Sequence, residues 1–552
     1  MKIIGFQSGH DVSYCVLKDG VPILHNEWER FLRKKEAQGD GLKFLFDKEK
    51  DTGVLDDVDY FTHGNPRTRY GVWAFRYSPE TGEFPCNIAK YDEMMKETGA
   101  SFTEYSHHLS HAANAFFSSS YHTSLILSLD GGGWELKKDY DNKAIGKISA
   151  VEIDRSTACS VYIGQDTKIY PQLVHKAEEV NIGMLWDRMT RDVLGLSWGY
   201  PEGHGAGTMM AMAALGKYSE DLVSRIKSSW YSDENIALIK EWIGDDEQRR
   251  FDLAATIQYL TEDLIKNMIN FWIKELKERV DYEVTHLCIT GGVALNSVCV
   301  GKIQEWFPQI KDIYVPPVPY DAGLAIGSAQ YLYHHILGQP RVKWDGNASP
   351  YLGRSYSEKE VMLAIKDHDL EFELVTDDDV IDLISKDDNI ISVFGGGSES
   401  GRRALGNRSI LADPRSKTMK GVINEKVKHR QSFRPFAPSI LREEVSNWFT
   451  RDVNSPYMSY VLPFKDEVLD KVPAVCHVDN SARLQTVTEK DNLWYYNFIK
   501  KFGEKTGVPI LLNTSFNDRE PIVETPDNAI SCFQNTDIDY LYFFDCGVLI
   551  KK

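Results

Sequence analysis

"TSLILSLDGGG", residues 123–133, is the stretch from which the fold can be read. Its Leu and Ile residues are separated only by Ser, and no charge enters until Asp130, as in a strand buried on both faces. Asp130 is followed by Gly131, Gly132 and Gly133. A strand that ends on bare backbone offers amides that a phosphate can approach closely. "THLCITGGVALNS", 285–297, has the same grammar: a strand, then Gly291 and Gly292, then a predicted helix from about Ala294. "DIYVPPVPYDAGLAIGSAQYLYH", 312–334, is a third such unit, with a Pro-rich turn, Asp321, and a helix carrying small residues at 322, 323, 325 and 327. Strands that end in glycines and feed helices imply an α/β domain whose ligands lie at the carboxyl ends of the strands.

Toward the N-terminus, "KIIGFQSG" (2–9) and "SYCVLKDG" (13–20) read as two strands of a hairpin, the second ending in a Lys-Asp-Gly turn, and "VPILHNEWER" follows. A hairpin, a strand with Asp-Gly-Gly-Gly and a strand with Gly-Gly, in that order, point to the actin–sugar kinase–Hsp70 ATPase class. The glycines match neither a Walker P-loop nor GxGxxG. Gly132, Gly291 and Gly292 are the candidate nucleotide contacts. Asn296, placed on the first turn of the predicted helix, either hydrogen-bonds a ribose or base or simply faces water.

The chain has 552 residues, too many for one hydrophobic core. "LGQPRVKWDGNASPYLG" interrupts the pattern with Pro, Gly and polar residues, so the expected domains are 1–345 and 346–552. Beyond the boundary come "SEKEVMLAIKDHD", a helix with a serine N-cap, and the strand "NIISVFGGG". No internal repeat is visible. The start "MKIIGFQSGHDV" reads as a first strand rather than a signal peptide, and there is no apolar run long enough for a membrane span. The eight cysteines are scattered without a CxxC, which favours a reducing cytoplasm over a disulfide frame. A net charge of -18 speaks against bulk nucleic-acid binding.

"HHLSHA", 107–112, holds His107 and His111 four apart. On a helix that spacing puts both imidazoles on one face, about 6 Å apart at the Cβ atoms, within reach of one metal ion. Asp130 and Asp321 both fall at strand–turn positions of the expected cleft. Two imidazoles and two carboxylates suit iron, manganese or zinc better than calcium. An N-cap is the plainer role for each aspartate.

The acidity is not uniform. Between Arg402 and Arg434 stand ten basic residues against Asp413 and Glu425 only. They are interleaved with "ALGNRSILADP" and "FRPFAPS", which carry apolar residues, Gly and Pro. Arginines on packed elements suit phosphate or carboxylate recognition better than a solvated face does.

Nine segments, from residue 9 to 526, resemble the carbamoyltransferase family of the nodulation and antibiotic O-carbamoyltransferases, the tobramycin enzyme among them. They are "GHDVSYCVLKDG", "HHLSHAANAFFSS", "LSLDGGG", "GGVALNS", "DAGLAIGSA", "ALGNRSILADPR", "VKHRQSFRPFAPS", "HVDNSARLQTV" and "LLNTSFNDREPIVETP". The resemblance implies an N-terminal threonylcarbamoyl-transfer-like domain of the ATPase class, with a metal, iron by family likeness, on His107, His111, Asp130 and Asp321. It implies a C-terminal α/β YrdC-like domain that makes carbamoyl adenylate from carbamoyl phosphate and ATP with Mg²⁺. The N-terminal domain would then pass the carbamoyl group to a hydroxyl of a small-molecule acceptor and release AMP.

In that scheme Arg403, Lys428, Arg434, Arg483 and Ser515 surround carbamoyl phosphate, with Lys428 and Arg434 acting in catalysis. His10 is the candidate base for the acceptor hydroxyl, a plain turn histidine being the other reading. Lys35 reaches the nucleotide phosphates, and Asp321 serves both metal and nucleotide. Lys428 is expected to serve the ligand rather than the fold. No membrane association follows, and a homodimer is one expected state. The family stretch GRxEFGPRALG reads here with Gly397 in place of an arginine and Arg402 in place of a proline. A family GEGKxMGLA segment reads "GAGTMMAMA", with Ala206 and Thr208 in place of its glutamate and lysine. Two alternatives follow: a tRNA threonylcarbamoyl-type fusion, which the acidic balance opposes, and a nucleotide-binding scaffold with decayed chemistry, which the intact metal and basic sets oppose.

Overall fold

The computed structural model describes residues 1–66, 95, 98–140, 157–176, 181–196, 205–342, 349–386 and 388–552. The expected boundary near residue 345 and Cys86 lie outside the described residues. The chain divides into two compact units, one of Met1–Met209, Gly216–Asn296 and Lys302–Ala348, the other of Met210–Leu215, Ser297–Gly301 and Ser349–Lys552.

The first unit contains two five-stranded sheets. One is built from β1 (Lys2–Gln7), β2 (Ser13–Lys18), β3 (Val21–Glu27), β4 (Tyr60–His63) and β5 (Ser101–Glu104), in the order β3-β2-β1-β4-β5. The other contains β6 (Thr123–Gly133), β7 (Thr157–Gln165), β8 (Lys168–Lys176), β9 (His286–Thr290) and β10 (Asp312–Tyr314), in the order β10-β9-β6-β7-β8. Read from its first strand, each sheet has the same plan. Three strands form an antiparallel meander, and the fourth and fifth run parallel to the first. The backbone therefore repeats although the sequence shows no repeat, because strand order needs only burial and turns to recur, not identical side chains. This doubled arrangement is that of the actin–sugar kinase–Hsp70 class.

After the last strand of each sheet comes a buried helix: α1 (His107–Ser118) after β5, and, beyond the 34-residue α2 (Glu247–Val280), α3 (Leu324–Gln330) after β10. All twelve residues of α1 are buried. The small residues noted in the sequence explain how α3 reaches both α1 and β1. A Cβ on Gly327 would lie 1.8 Å from the Ser110 carbonyl oxygen, and one on Gly5 would lie 1.9 Å from that of Ala325. Arg341 closes the other end of α1, donating to the carbonyls of Phe116 and Phe117 and, beyond its end, to those of Ser119 and Tyr121.

Two local expectations are corrected. The glycines after Asp130 do not form a turn, since β6 continues through Gly133 with its register shifted between Leu129 and Gly133. The helix expected from Ala294 begins later. Gly292–Leu295 is a 3-10 turn, Asn296 is non-helical, and the helix runs Ser297–Trp306. Asn296 is held out by its side chain, which exchanges two hydrogen bonds with Gln258 on α2 at 2.9 and 3.2 Å.

The second unit is a nine-stranded mixed sheet of β11 (Glu373–Leu374), β12 (Ile391–Phe394), β13 (Arg408–Ala412), β14 (Ala437–Leu441), β15 (Tyr460–Pro463), β16 (Ser481–Val487), β17 (Ile510–Ser515), β18 (Tyr540–Phe543) and β19 (Val548–Lys551). Their order is β11-β19-β18-β12-β13-β17-β14-β16-β15, with β12–β18 and β14–β16 parallel. The helix α4 (Glu358–Asp367) starts at Ser357 with a full capping box, as its sequence predicts. Tyr495, Phe498, Ile499 and Phe502 of α5 (Leu493–Thr506) pack on Ile391, Val393, Leu411 and Leu511 of the sheet.

Candidate functional site

The duplicated fold brings together residues that are far apart in sequence. Asp130 sits near the end of β6 and His10 just past the end of β1, the equivalent first strands. His107 begins α1, and Asp321 begins the 3-10 turn that leads into α3, the equivalent last helices. His107, His111, Asp130 and Asp321 each contribute one atom to a group lying within 4.8 Å of one another. His107 Nε2 is 3.1 Å from Asp130 Oδ2 and 3.5 Å from Asp321 Oδ1. His111 Nε2 is 3.7 and 3.4 Å from the same two atoms. A metal with bonds of about 2.0–2.1 Å in tetrahedral or octahedral geometry holds neighbouring ligand atoms roughly 2.8–3.4 Å apart, and the four separations here, 3.1–3.7 Å, come within a few tenths of an ångström of that, so small side-chain shifts fit this donor set to such an ion. His111 Nε2 is buried without a hydrogen-bond partner among the described residues, the state expected of a ligand atom.

The electrostatics favour positive charge at this point. Burial opposes a charge on His111, but Asp130 and Asp321 override it and push the imidazole up to about 9. Burial also opposes ionisation of Asp130, yet His107 and His111 hold it well below the usual carboxylate range. The middle histidine of the motif behaves otherwise. His108 donates from Nε2 to the Thr157 carbonyl at 2.9 Å, and burial followed by His107 lowers it to about 3. Gly133 is required here, because a Cβ would lie 2.4 Å from the His107 ring.

His10 joins the group through the other oxygen of Asp321, at 3.1 Å, and its Nδ1 lies 3.1 Å from Asp11. Desolvation opposes its charge, but Asp321, Asp11 and Asp130 outweigh it and raise the imidazole, whose side chain is 55% exposed, to about 10. Asp321 is thus shared, with Oδ1 facing the histidines of α1 and Oδ2 facing His10. The amides of the glycine turn are engaged within the protein. Gly291 N–H donates to the Pro319 carbonyl at 2.8 Å, and Gly292 N–H to Asp130 Oδ1 at 3.1 Å, so neither amide is bare. Gly291, at φ 84, lets the turn lie against β6, where a Cβ would sit 2.1 Å from the Leu129 oxygen. Lys35 lies in the turn after the short helix Trp28–Leu32, and Gly132 lies within β6. Beside Asp130 opens an apolar cavity of about 110 Å³ lined by Leu129, Ala158, Cys159, Ile182, Leu264, Met268 and Val293.

The second unit carries the cations. Lys428 is buried, and its ammonium donates to the carbonyl of Ser515 at 2.5 Å and to the carbonyl and side-chain oxygens of Asn517, both at 2.7 Å. Its expected neighbour Ser515 is therefore present, but Lys428 ties the 515–517 loop to the 428–434 loop instead of standing free. That corrects the expectation that it serves the ligand alone: three donors on neutral acceptors hold backbone together. Arg483 projects from β16. Two residues on, Gln485 donates to the Leu405 carbonyl at 2.9 Å, and Asn513 donates to that of Ala404 at 3.0 Å, which fixes the backbone next to Arg403. Burial first, then the nearby charges of Arg403, Arg430 and Arg434, hold Arg483 well below the usual arginine range. Burial lowers Arg434 to about 10. The structure thus gathers Arg403, Arg434 and Arg483 and adds Arg430, which was visible only as one of the ten basic residues. Of the departures, Gly397 faces the carbonyl oxygens of Tyr351 and Gly353, each 2.9 Å from where a Cβ would stand, so a larger residue requires movement. Ala206 and Thr208 lie in the helix Ala206–Met212.

One chain therefore joins an ATPase-class unit with a four-residue metal-fitting cluster to a mixed-sheet unit with a half-buried arginine cluster, the two ends of a group-transfer enzyme. Residues 86–330 match the carbamoyltransferase N-terminus family and residues 382–551 the carbamoyltransferase C-terminus family. The chain belongs to the carbamoyltransferase family and is a carbamoyltransferase. It is 34% identical over 482 residues to nodulation protein NolNO of Sinorhizobium fredii, covering 81% of this chain and 63% of that protein. It is 33% identical to nodulation protein NolO of Bradyrhizobium diazoefficiens, covering 79% and 77%. An uncharacterized protein of Synechocystis sp. is 32% identical over 96% of this chain and 94% of its own length. The crystal structure of T. kodakarensis HypF aligns with 61% of this chain and 48% of that one at 13% identity and a TM-score of 0.37, too loose to add to the strand order itself. Among the described residues no helix is long and apolar enough to cross a membrane.

Proposed function

We propose that this chain is a cytoplasmic, ATP-dependent O-carbamoyltransferase that works in two steps. In the unit containing the arginines, carbamoyl phosphate, water and ATP give carbamoyl adenylate, phosphate and pyrophosphate. Water releases phosphate from carbamoyl phosphate and leaves carbamate, and a carbamate oxygen then bonds to the α-phosphorus of ATP as the α–β phosphoanhydride bond breaks and pyrophosphate leaves. In the first unit an acceptor hydroxyl attacks the carbamoyl carbon, its proton is taken up, and AMP leaves. The observation that carries this reading is the coexistence in one chain of the His107–His111–Asp130–Asp321 cluster and the Arg403–Arg430–Arg434–Arg483 cluster.

Arg434 and Arg483, with Arg403, would neutralise carbamoyl phosphate, while Lys428 would hold Ser515 and Asn517 in position around it. His107, His111, Asp130 and Asp321 would hold a divalent transition ion, iron by family likeness, which when bound supplies Lewis-acid polarisation. Mg²⁺ would accompany ATP. His10, whose Nε2 is paired with the outer oxygen of Asp321, would accept the hydroxyl proton once that carboxylate is engaged elsewhere. Gly132, Gly291, Gly292, Asn296 and Lys35 remain the proposed nucleotide contacts, with a functional division near residue 345.

Incubating the protein with ATP and carbamoyl phosphate, without acceptor, should release pyrophosphate and consume carbamoyl phosphate in equal amounts. Pyrophosphate release that does not depend on carbamoyl phosphate would overturn the first step. Protein purified without chelator should carry about one equivalent of a divalent transition ion by elemental analysis. Full transfer activity in metal-free protein would remove the ion from the scheme. Screening hydroxylated metabolites for a mass gain of one carbamoyl group would name the acceptor.

A further inference from the structure

The two histidines of the metal-fitting quartet sit on a helix whose first turn is held from outside. Ser106, the N-cap of α1, makes no capping hydrogen bond with its own side chain. The first N–H groups of a helix lack partners within it, and the N-cap side chain ordinarily supplies one. Here residues 134–139 take over that task. His107 N–H donates to the Trp134 carbonyl at 3.0 Å, and His108 N–H donates to Glu135 Oε1 at 2.9 Å. The Ser106 N–H and hydroxyl both donate to Asp139 Oδ2, each at 2.7 Å, and the Ser106 oxygen accepts from Leu136 N–H at 2.7 Å.

These residues directly follow β6, which carries Asp130. They form a strap that joins the strand holding one donor of the quartet to the helix holding two. The strap is itself fixed. Glu135 is buried, and its Oε2 accepts from the Tyr140 hydroxyl, which lies 3.2 Å from that of Tyr162 on β7. Imidazoles that bind a metal are commonly held by a hydrogen bond through the far ring nitrogen. Nδ1 of His107 and Nδ1 of His111 are both buried without such a partner among the described residues. The aim of both rings therefore depends on where the helix backbone begins. The tolerance is small, because the donor separations of 3.1–3.7 Å already stand at the upper edge of what an ion accepts.

We infer that Glu135 is a positioning residue of the metal centre: its carboxylate oxygen fixes the first turn of α1 and, through it, the donor atoms of His107 and His111 for a divalent transition ion. The inference rests on the ion proposed above. Glu135 bonds to the His108 amide and the Tyr140 hydroxyl, so it acts through the helix and not as a fifth donor.

The test is titration of the metal-free full chain with Co²⁺, followed by visible absorption, for wild type, Glu135→Ala, Glu135→Gln and Ser106→Ala, beside the melting temperature of each metal-free protein. Wild type should take up about one equivalent. Glu135→Ala should bind Co²⁺ ~10–100-fold more weakly and with an altered absorption band, the size of effect seen when a residue behind a metal ligand is removed. Glu135→Gln should stay within ~3-fold of wild type, because an amide oxygen accepts from the His108 N–H as a carboxylate oxygen does. Ser106→Ala, which removes the acceptor of Leu136 and one donor to Asp139, should weaken Co²⁺ by ~10-fold. A merely structural strap would lower the melting temperature and leave the Co²⁺ affinity and band as in wild type, and that result overturns the inference. Equal weakening by Glu135→Ala and Glu135→Gln would overturn it too, since Glu135 would then act by its charge. Should Glu135→Ala not fold, Ser106→Ala decides, and unchanged Co²⁺ binding there removes the strap's role. Wild type that binds no Co²⁺ would sink the ion and the strap together, whereas a bound ion insensitive to Glu135 sinks the strap alone.

Discussion

Replacing His111 by Ala should cut carbamoyl transfer by at least ~10²-fold while pyrophosphate release from ATP and carbamoyl phosphate continues at its normal rate. His111 is fully buried, and its Nε2 lies 3.4 and 3.7 Å from the two aspartates of the cluster. Its loss removes one of four donors and leaves Asp130 and Asp321 with one fewer cationic neighbour, so the variant should also bind its ion more weakly. The cavity left by the ring should cost stability too, by about 2–4 kcal/mol for a large buried side chain truncated to Ala. Melting temperature and elemental analysis, measured beside the two half-reactions, separate these effects. A folded His111→Ala protein that loses both half-reactions would show that the chemistry is not divided near residue 345. One that keeps both would remove the cluster from catalysis.

Lys428→Ala should fail differently, in folding as well as in rate. The ammonium satisfies the carbonyls of Ser515 and Asn517 and the Asn517 side chain inside the second unit. Each buried acceptor left without a donor costs about 1–3 kcal/mol, so the variant should be less stable by a few kcal/mol. For a unit of this size that is a drop of roughly 5–10 °C in melting temperature. Adenylate formation should fall as the 515–517 loop loosens beside the arginines. Lys428→Arg should rescue little, because a planar fork cannot point three donors at acceptors clustered around a compact ammonium. An unchanged melting temperature together with lost adenylate formation would restore Lys428 to a purely ligand-facing role.

The contrast between Lys428 and His111 shows what local pattern can carry. His-x-x-x-His is a relation within one helix turn, so the geometry of His107 and His111 follows from spacing. Its partners were also legible, because an aspartate that ends an apolar strand before glycines, or opens a small-residue helix, has few places to go. The separation of His108 from this pair was settled by the Thr157 carbonyl, 49 residues away. Lys428 and Arg430, two apart in one basic run, read alike as charge. The left-handed turn at His429 and the acceptors of the 515–517 loop gave one to the scaffold and left the other facing the arginines.

From the sequence alone came the α/β class, the hairpin and the Gly-ended strands, the metal-fitting quartet, the basic cluster and the family. These depend on periodicity, composition and short spacings, which the chain carries in order. Tertiary structure alone decided the internal duplication, the shared carboxylate of Asp321, the engaged amides of Gly291 and Gly292, and the fates of Lys428 and Arg430. Apart from the bonds of Arg430 to Asn424, six residues away, these are contacts between segments tens to hundreds of residues apart. Burial makes such contacts obligatory, since a buried polar group must find a partner, but which partner it finds is set by the packing of the whole sheet and not by its neighbours in the chain.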